Sequence, residues 1–193
     1  NSRSFMIRHL NQDVTTARQQ VIVHQVNCQG RMGSGVAKAI KEKFPNVYTA
    51  YKKHCDRYGR PAVLNGLLGN CQIVEIDEPN RNRPDKQYVA NLFAQDRYGY
   101  DGQMYTSYDA FLNSLKQLKE FCIANNIKSI AFPEKIGCGR GGADWQIISR
   151  MIETTFEDLL FRKDNQLKLY YYFLNEEKDE NGLYNSGSSL FTE

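Results

Sequence analysis

The residues whose types are most suited to binding a ligand lie in two glycine-rich stretches. The first, Gly30 to Gly35, follows an apolar run that starts at Val21, and the second, Gly137 to Gly142, follows the apolar residues 127–132. Glycine lets the backbone approach a ligand closely, and the N–H groups that open a following helix favour an anion. Two such loops could hold a diphosphate from both sides with backbone N–H groups rather than lysines.

The second stretch also matches the spacing GxGxxG, which suggests a Rossmann dinucleotide site. The match lies late in the chain, and no strand–helix unit with an acidic residue about 20 positions on follows it. A tight turn between a strand and a helix is the structural alternative for either glycine loop.

Asp101 is the leading candidate for acid–base chemistry. It lies in residues 94–107, a stretch without apolar periodicity that also contains the tyrosines Tyr98, Tyr100 and Tyr105. A connector of this length is typical of a functional loop, and a carboxylate in a partly closed site can orient water or exchange protons. A simple turn at Asp101-Gly102 is the alternative.

Hydrophobic periodicity predicts a chain in which strands and helices alternate. Strands are expected at residues 5–10, 21–26, 71–76, 88–93, 127–132 and 167–174, and helices at 36–44, 45–58, 108–122 and 145–159. A charged, proline-bearing turn at 78–86 predicts a hairpin between the third and fourth strands. The fold class is therefore three-layer α/β with a mixed central sheet, helices on both faces and ligand loops at the strand carboxyl ends. One domain is expected at residues 5–175, followed by a flexible tail at 176–193.

Composition is that of an ordinary globular protein, with 41% hydrophobic and 24% charged residues and a formal net charge of +3. So small a charge gives no indication of a nucleic-acid partner, and no apolar run is long enough for a membrane span. The five cysteines are scattered, without a CxxC pair. Reduced thiols in a cytoplasmic monomer, without a metal or a cofactor, are the simplest expectation.

Three segments taken together resemble the macro domain family: HQVNCQGRMGSGVAKAIKEKFP from His24, YVANLF from Tyr88 and IGCGRGGADW from Ile136. The resemblance covers residues 5–174 and implies an α/β/α macro domain that binds ADP-ribose. The most similar branch contains ADP-ribose-1″-phosphate phosphatases and small ADP-ribosyl hydrolases. ADP-ribose or its 1″-phosphate is therefore the expected partner.

The resemblance also implies roles for individual residues. Asp13 would accept a hydrogen bond from the adenine amino group, and Asn27 would face the distal ribose. Asn91 would sit near the terminal ribose, with Asp101 ten residues further on as the catalytic carboxylate; His24 is a further catalytic candidate. The two loops would supply the remaining contacts through Gly33, Ser34, Gly35, Val36, Ile136, Gly137, Cys138, Gly139, Arg140, Gly141 and Gly142.

Each role has a structural alternative. Asp13 could form a turn, Asn27 could end a strand and His24 could be a core histidine. Aromatic residues, including Tyr172 or Phe173 near the last strand, could stack on the ligand or simply fill the core.

The sequence departs from the family at three points. A branch that uses a catalytic lysine would place it near Gln95, and Gly141 replaces the aspartate that partners this lysine. The phosphatase branch uses a histidine near the second loop, and no histidine follows His54. Three functions therefore stay open: hydrolysis of ADP-ribose-1″-phosphate, binding of ADP-ribose without chemistry, and release of ADP-ribose from protein or nucleic acid.

Overall fold

The computed structural model of the chain describes residues 7–59, 66–80 and 86–175. Within these ranges six strands form one sheet and four helices pack on its two faces. The strands are β1 (Ile7–Asn11), β2 (Val21–Asn27), β3 (Cys71–Glu75), β4 (Tyr88–Gln95), β5 (Ser129–Pro133) and β6 (Lys168–Phe173). The helices are α1 (Gly35–Lys43), α2 (Pro45–Tyr58), α3 (Tyr108–Ala124) and α4 (Trp145–Leu160), and a 3₁₀ turn spans Val14–Thr16.

The sheet is mixed, as predicted. Its strand order is β1-β6-β5-β2-β4-β3, and only β3 runs antiparallel, against its neighbour β4. This antiparallel pair confirms the predicted hairpin, although residues 81–85 of its turn lie outside the described residues. The carboxyl ends of the five parallel strands share one edge of the sheet, where the loops that follow them gather.

The central strand β2 explains the two-sided core. Val21 and Val23 pack in the cluster formed with α3 and α4, whereas Ile22 and Val26 pack against α1 and α2 on the other face. A parallel strand that is covered on both faces has a continuous apolar sequence, without alternation of apolar and polar residues. This is why the apolar run from Val21 predicted a strand without alternation.

The helix bounds agree closely with the periodicity. α2 begins at Pro45, whose missing N–H costs nothing in a first turn. Asp144 caps α4, because its side chain accepts a hydrogen bond of 2.8 Å from the Gln146 N–H. The predicted start of β1 at Phe5 and the tail 176–193 lie outside the described residues.

Candidate functional site

The chain leaves β2 and β5 in opposite directions, and the space between the two loops that follow these strands, residues 28–34 and 137–142, is called the crevice. These two strands are parallel neighbours. The chain after β2 enters α1 on one face of the sheet, and the chain after β5 enters α4 on the other face. In α/β sheets ligands bind at such a switch point, outside the carboxyl ends of the strands. Both glycine-rich loops follow these two strands, so the fold brings them to the same crevice.

Asn27 holds the shape of the first loop, which spans residues 28–34. Its Oδ1 accepts hydrogen bonds from the N–H of Gln29 (2.9 Å) and of Arg31 (3.4 Å), and its Nδ2 donates to the Arg31 carbonyl (2.8 Å). The hydroxyl of Tyr51 on α2 donates to both the Asn27 carbonyl (2.7 Å) and Oδ1 (2.9 Å). Asn27 is fully buried. Its polar atoms thus organise the first loop, and its contact with a ribose stays a prediction.

The end of the first loop forms the start of α1. Gly33 is exposed and has open space around it, and Gly35 begins the helix with a φ of 58°. Ser34 occupies the N-cap position, but its side chain makes no capping hydrogen bond. Val36 is buried in the core, so only its backbone could face the crevice.

The glycines of the second loop fit closely against the end of the 96–107 loop. A Cβ on Gly141 would lie 2.4 Å from Thr106 Oγ1 and 2.5 Å from the carbonyl oxygen of Gly137. The Gly141 carbonyl accepts hydrogen bonds from the N–H groups of Tyr105 and Thr106, each at 2.9 Å. Gly141 is therefore required by packing between the loops, whatever else the loop binds.

A buried set of hydrogen bonds joins β2 and β4 to the 96–107 loop and the second glycine loop. The Gln25 Nε2 donates to Gln95 Oε1 (2.7 Å) and Thr106 Oγ1 (2.8 Å), and Thr106 donates to the Gly137 carbonyl (2.9 Å). Gln95, near which a catalytic lysine would be expected, is buried and also donates to the Arg97 carbonyl (3.0 Å). Sequence reasoning named Gly137 but missed the roles of Gln25, Gln95 and Thr106. The available signal was Gln25, a polar residue within the apolar run of β2.

Arg140 connects the loops across the crevice. Its Nη1 donates a hydrogen bond of 2.5 Å to Ser34 Oγ on the first loop. Its guanidinium carbon lies 4.1 Å from the centre of the ring of Tyr100, which is 68% exposed on the 96–107 loop. Two glycine loops that are more than a hundred positions apart in the sequence thus meet at one point.

The remaining second-loop residues are less accessible. Ile136 is buried in the core, and Cys138 is half-buried with its Sγ 3.4 Å from the Ile136 carbonyl. Burial raises the pKa of the Cys138 thiol to about 12, so it is no nucleophile at neutral pH. Gly139 is half-buried and Gly142 is exposed.

Asp101 lies on the exposed surface of the 96–107 loop. The Tyr105 hydroxyl donates to both carboxylate oxygens, at 2.8 and 3.0 Å, and the Gln103 N–H donates to Oδ1 at 3.2 Å. The hydrogen bond from Tyr105 is the main reason that the pKa of Asp101 lies below its usual value. Asp101 is therefore an ionised carboxylate at neutral pH, held in place by its own loop.

His24 and Asn91 lie side by side in the middle of β2 and β4, and both are fully buried. The Nε2 of His24 is 2.5 Å from Asn91 Oδ1, Asn91 Nδ2 donates to Gln72 Oε1 (3.1 Å), and Gln72 donates to the Ala50 carbonyl of α2 (3.1 Å). Burial lowers the pKa of His24 to about 4. His24 is thus a core histidine, which was its structural alternative, and a role of either residue on a ligand stays a prediction.

Asp13 lies beyond the end of β1, where its Oδ1 accepts from the N–H and the Oγ1 of Thr15, each at 2.9 Å. It caps the 3₁₀ turn, as the turn-forming alternative expected. Tyr172 is buried, and its hydroxyl donates to Gln19 Oε1 (2.6 Å). It is thus a core residue.

Metal-ligating clusters and membrane-spanning helices are both absent from the part of the chain that the structure describes. There, no group of three or more histidine, cysteine or acidic side chains could hold a metal ion. None of the described helices has the length and apolar character needed to cross a bilayer. All five cysteines are free thiols.

The chain belongs to the macro domain family, whose sequence pattern matches residues 23–152. A DNA ADP-ribosyl glycohydrolase of Mycobacterium tuberculosis is 26% identical over 154 residues, which are 80% of this chain and 40% of that protein. An ADP-ribose 1″-phosphate phosphatase of Meyerozyma guilliermondii is 32% identical over 87 residues, which are 44% of this chain and 49% of that protein. This chain thus spans less than half the length of these relatives.

Solved structures share the fold. The macrodomain of Mycobacterium tuberculosis DarG superposes with a TM-score of 0.69 at 24% identity, over 86% of this chain and 97% of that one. Thermosipho africanus DarTG in complex with ADP-ribose gives a TM-score of 0.69 at 19% identity, over 91% of this chain and 43% of that one. At such identities the likeness establishes the architecture alone, and it agrees with the predicted α/β/α macro domain.

Proposed function

We propose that this chain binds ADP-ribose along the carboxyl edge of the sheet, with the diphosphate in the crevice between the two glycine loops. The observation that carries the proposal is the meeting of these loops, where Ser34 Oγ and Arg140 Nη1 lie 2.5 Å apart. Family membership and the ADP-ribose held by Thermosipho africanus DarTG, a protein of the same fold, support this ligand.

The order of the strands supports one direction for the ligand. Along the edge, Asp13 follows β1, the second loop follows β5, the first loop follows β2, and Asp101 follows β4. An ADP-ribose molecule with its adenine towards Asp13 and its diphosphate in the crevice would place its terminal ribose towards Asp101. The linear order of the ligand thus matches the order of the loops.

The reaction we propose is hydrolysis of the terminal phosphate of ADP-ribose-1″-phosphate. Water attacks phosphorus, the bond between phosphorus and the C1″ oxygen breaks, and inorganic phosphate and ADP-ribose leave. Asp101 is the carboxylate that orients this water and accepts its proton, because it is exposed, ionised and held by Tyr105.

Phosphate release from ADP-ribose-1″-phosphate tests the proposal, together with calorimetry of ADP-ribose binding. We expect Asp101→Asn to lower kcat by about 100-fold or more while the Kd for ADP-ribose changes little. Asp164→Asn is the matched control, since Asp164 is exposed in the loop before β6, at the opposite edge of the sheet. Unchanged turnover in Asp101→Asn would remove this residue from the mechanism.

The second candidate is release of ADP-ribose from a modified macromolecule. The similarity to DNA ADP-ribosyl glycohydrolases extends over 154 residues, against 87 for the phosphatase relative. In this reaction water attacks C1″ and the bond to the modified group breaks. Gln95 stands where a catalytic lysine would be expected, so the covalent lysine route is closed and Asp101 would again orient the water.

A direct competition separates the candidates. An ADP-ribosylated DNA oligonucleotide, an ADP-ribosylated peptide and ADP-ribose-1″-phosphate are incubated with the chain, and free ADP-ribose and phosphate are measured. Release of phosphate favours the first candidate, and release of ADP-ribose from DNA or peptide favours the second. Binding of ADP-ribose without either product would identify a non-catalytic binding module.

A further inference from the structure

Arg140 is in contact with all three loops that surround the crevice. It belongs to the second loop, between Gly139 and Gly141, which present no side chains of their own. Its Nη1 reaches Ser34 on the loop after β2, and its guanidinium lies on the face of Tyr100 on the loop after β4. One cation thus spans the place assigned to the diphosphate.

The guanidinium has unused bonding capacity. It carries five N–H donors in a planar fork, which matches the oxygens of a phosphate. Within residues 7–59, 66–80 and 86–175, its hydrogen-bond partner is the neutral hydroxyl of Ser34, and no carboxylate oxygen lies within ion-pair distance of it. Charge-assisted, bidentate bonds to a phosphate are stronger than one bond to a hydroxyl.

The position of the guanidinium is set independently of Ser34. Stacking on Tyr100 keeps its plane over the crevice, and this interaction survives if the hydrogen bond to Ser34 is broken. The base of the second loop is fixed by the hydrogen bonds of Tyr105 and Thr106 to the Gly141 carbonyl. Arg140 can therefore change its hydrogen-bond partner without leaving the crevice.

We propose that Arg140 is a specificity-determining residue that exchanges the Ser34 hydroxyl for phosphoryl oxygens, so that the crevice selects ligands carrying a pyrophosphate. This inference rests on the proposed function, since it assigns the diphosphate of ADP-ribose to the same crevice. In the free protein the bond to Ser34 competes with the ligand. Removal of the Ser34 hydroxyl should therefore leave the affinity for ADP-ribose equal or raise it. If the bond between Ser34 and Arg140 instead closed over the bound ligand, its removal would lower this affinity.

Calorimetry with ADP-ribose and with adenosine, which lacks the diphosphate, tests the exchange. Arg140→Gln is expected to weaken ADP-ribose binding by roughly tenfold or more and to leave adenosine binding unchanged. Ser34→Ala is expected to bind ADP-ribose as tightly as the wild type or more tightly. Tyr100→Leu is expected to lower the affinity for ADP-ribose by about two- to fivefold, and Tyr100→Phe is expected to retain the full affinity. Arg150→Gln on α4 is the control for loss of one positive charge outside the crevice.

A second measurement distinguishes failure of this inference from failure of the proposed function. The NMR signal of the Arg140 Nε–H, assigned by its loss in Arg140→Gln, is followed during titration with inorganic pyrophosphate. If pyrophosphate shifts this signal but ADP-ribose does not bind, the exchange stands and the proposed function fails. If ADP-ribose binds equally to the wild type and Arg140→Gln, or Ser34→Ala weakens its binding, the exchange is overturned and the proposed function stands. If neither ligand has any effect, both are overturned.

Discussion

His24 is kept neutral by the fold, with consequences for stability at mildly acidic pH. It is fully buried between β2 and α2, its Nε2 is bonded to Asn91, and its Nδ1 has no hydrogen-bond partner among the described residues. Burial lowers its pKa to about 4, whereas an unfolded histidine titrates near 6.5. Between these values the unfolded state binds a proton that the folded state does not, so acid favours unfolding.

We therefore expect the free energy of unfolding to fall by about 2 kcal/mol between pH 7 and pH 5 through His24 alone. Urea denaturation at a series of pH values measures this slope. His24→Gln should flatten it, although the variant is less stable at pH 7. His9→Gln, at an exposed position on β1, should retain the wild-type slope. An equal slope in His24→Gln and the wild type would show that His24 is not the titrating group.

Substitution by alanine should lower stability at one glycine of the candidate site and leave it nearly unchanged at another. Gly141→Ala places a Cβ 2.4 Å from Thr106 Oγ1 and 2.5 Å from the Gly137 carbonyl oxygen, so the loops must separate. We expect a loss of about 1–3 kcal/mol in the free energy of unfolding. Gly33→Ala meets nothing within 4 Å and should leave stability nearly unchanged. Thermal denaturation compares the two, and similar losses would contradict the packing described for the second loop.

The side chains divide into those that the sequence could predict and those that it could not. Asp144 was predictable as a cap, because capping depends on neighbours a few positions away. His24 was left open between a ligand and the core, and the partners of Asn91 were not predictable, since alternation along a strand indicates a face but not which helix covers it. Arg140 was predicted only as part of its loop, because its partners Ser34 and Tyr100 are brought to it by tertiary packing.

At the scale of elements, the 96–107 loop and the second glycine loop behave as one unit. Thr106 is buried between them, accepts from Gln25 and donates to the Gly137 carbonyl. Removal of its hydroxyl takes one hydrogen bond from the Gln25 amide, which still donates to Gln95, and one from the Gly137 carbonyl, which still accepts from the Ala143 N–H. Each lost hydrogen bond contributes about 1 kcal/mol to stability.

Thr106→Val keeps the shape of this side chain and should lower the free energy of unfolding by about 1–3 kcal/mol. Thr106→Ser retains the hydroxyl and is the matched control. Urea denaturation measures both. Because the same hydroxyl joins the two loops, hydrogen exchange should accelerate at residues 97–106 and 137–143 in Thr106→Val only. Acceleration spread evenly over the sheet would indicate general destabilisation instead.

The order and type of the elements followed from local signals. Apolar periodicity, Pro45 at a helix start and a proline-bearing turn before β4 are each read within a short window, and each agrees with the fold. The neighbours of the strands do not follow from such windows. That β2 lies between β5 and β4 depends on strand pairs that are 109 positions apart for β5 and 67 or 68 positions apart for β4.

At the scale of the whole molecule, the family match is shorter than the folded unit. It ends at residue 152, whereas the core cluster includes residues of late α4 and of β6. These are Phe156, Leu159, Leu160, Leu167, Leu169 and Tyr171. Without β6, the strand β5 would become an unprotected edge.

A fragment of residues 23–152 should therefore fail to fold, whereas residues 7–175 should unfold in one cooperative transition. Dispersion of amide NMR signals and urea denaturation distinguish the two fragments. A cooperative transition in the shorter fragment would show that the outer strands are dispensable and would move the domain boundary inwards.

The pairing of β1 with β6 has a consequence for biosynthesis. β1 ends at Asn11, and its neighbour β6 begins at Lys168, at the other end of the described chain. At about 5–20 residues per second, β6 is synthesised roughly ten to thirty seconds after β1, and β1 cannot pair with it before then. Arg8 and His9 lie in the middle of β1 and are exposed in the folded sheet. Polar and charged side chains on an open strand discourage pairing with other nascent chains.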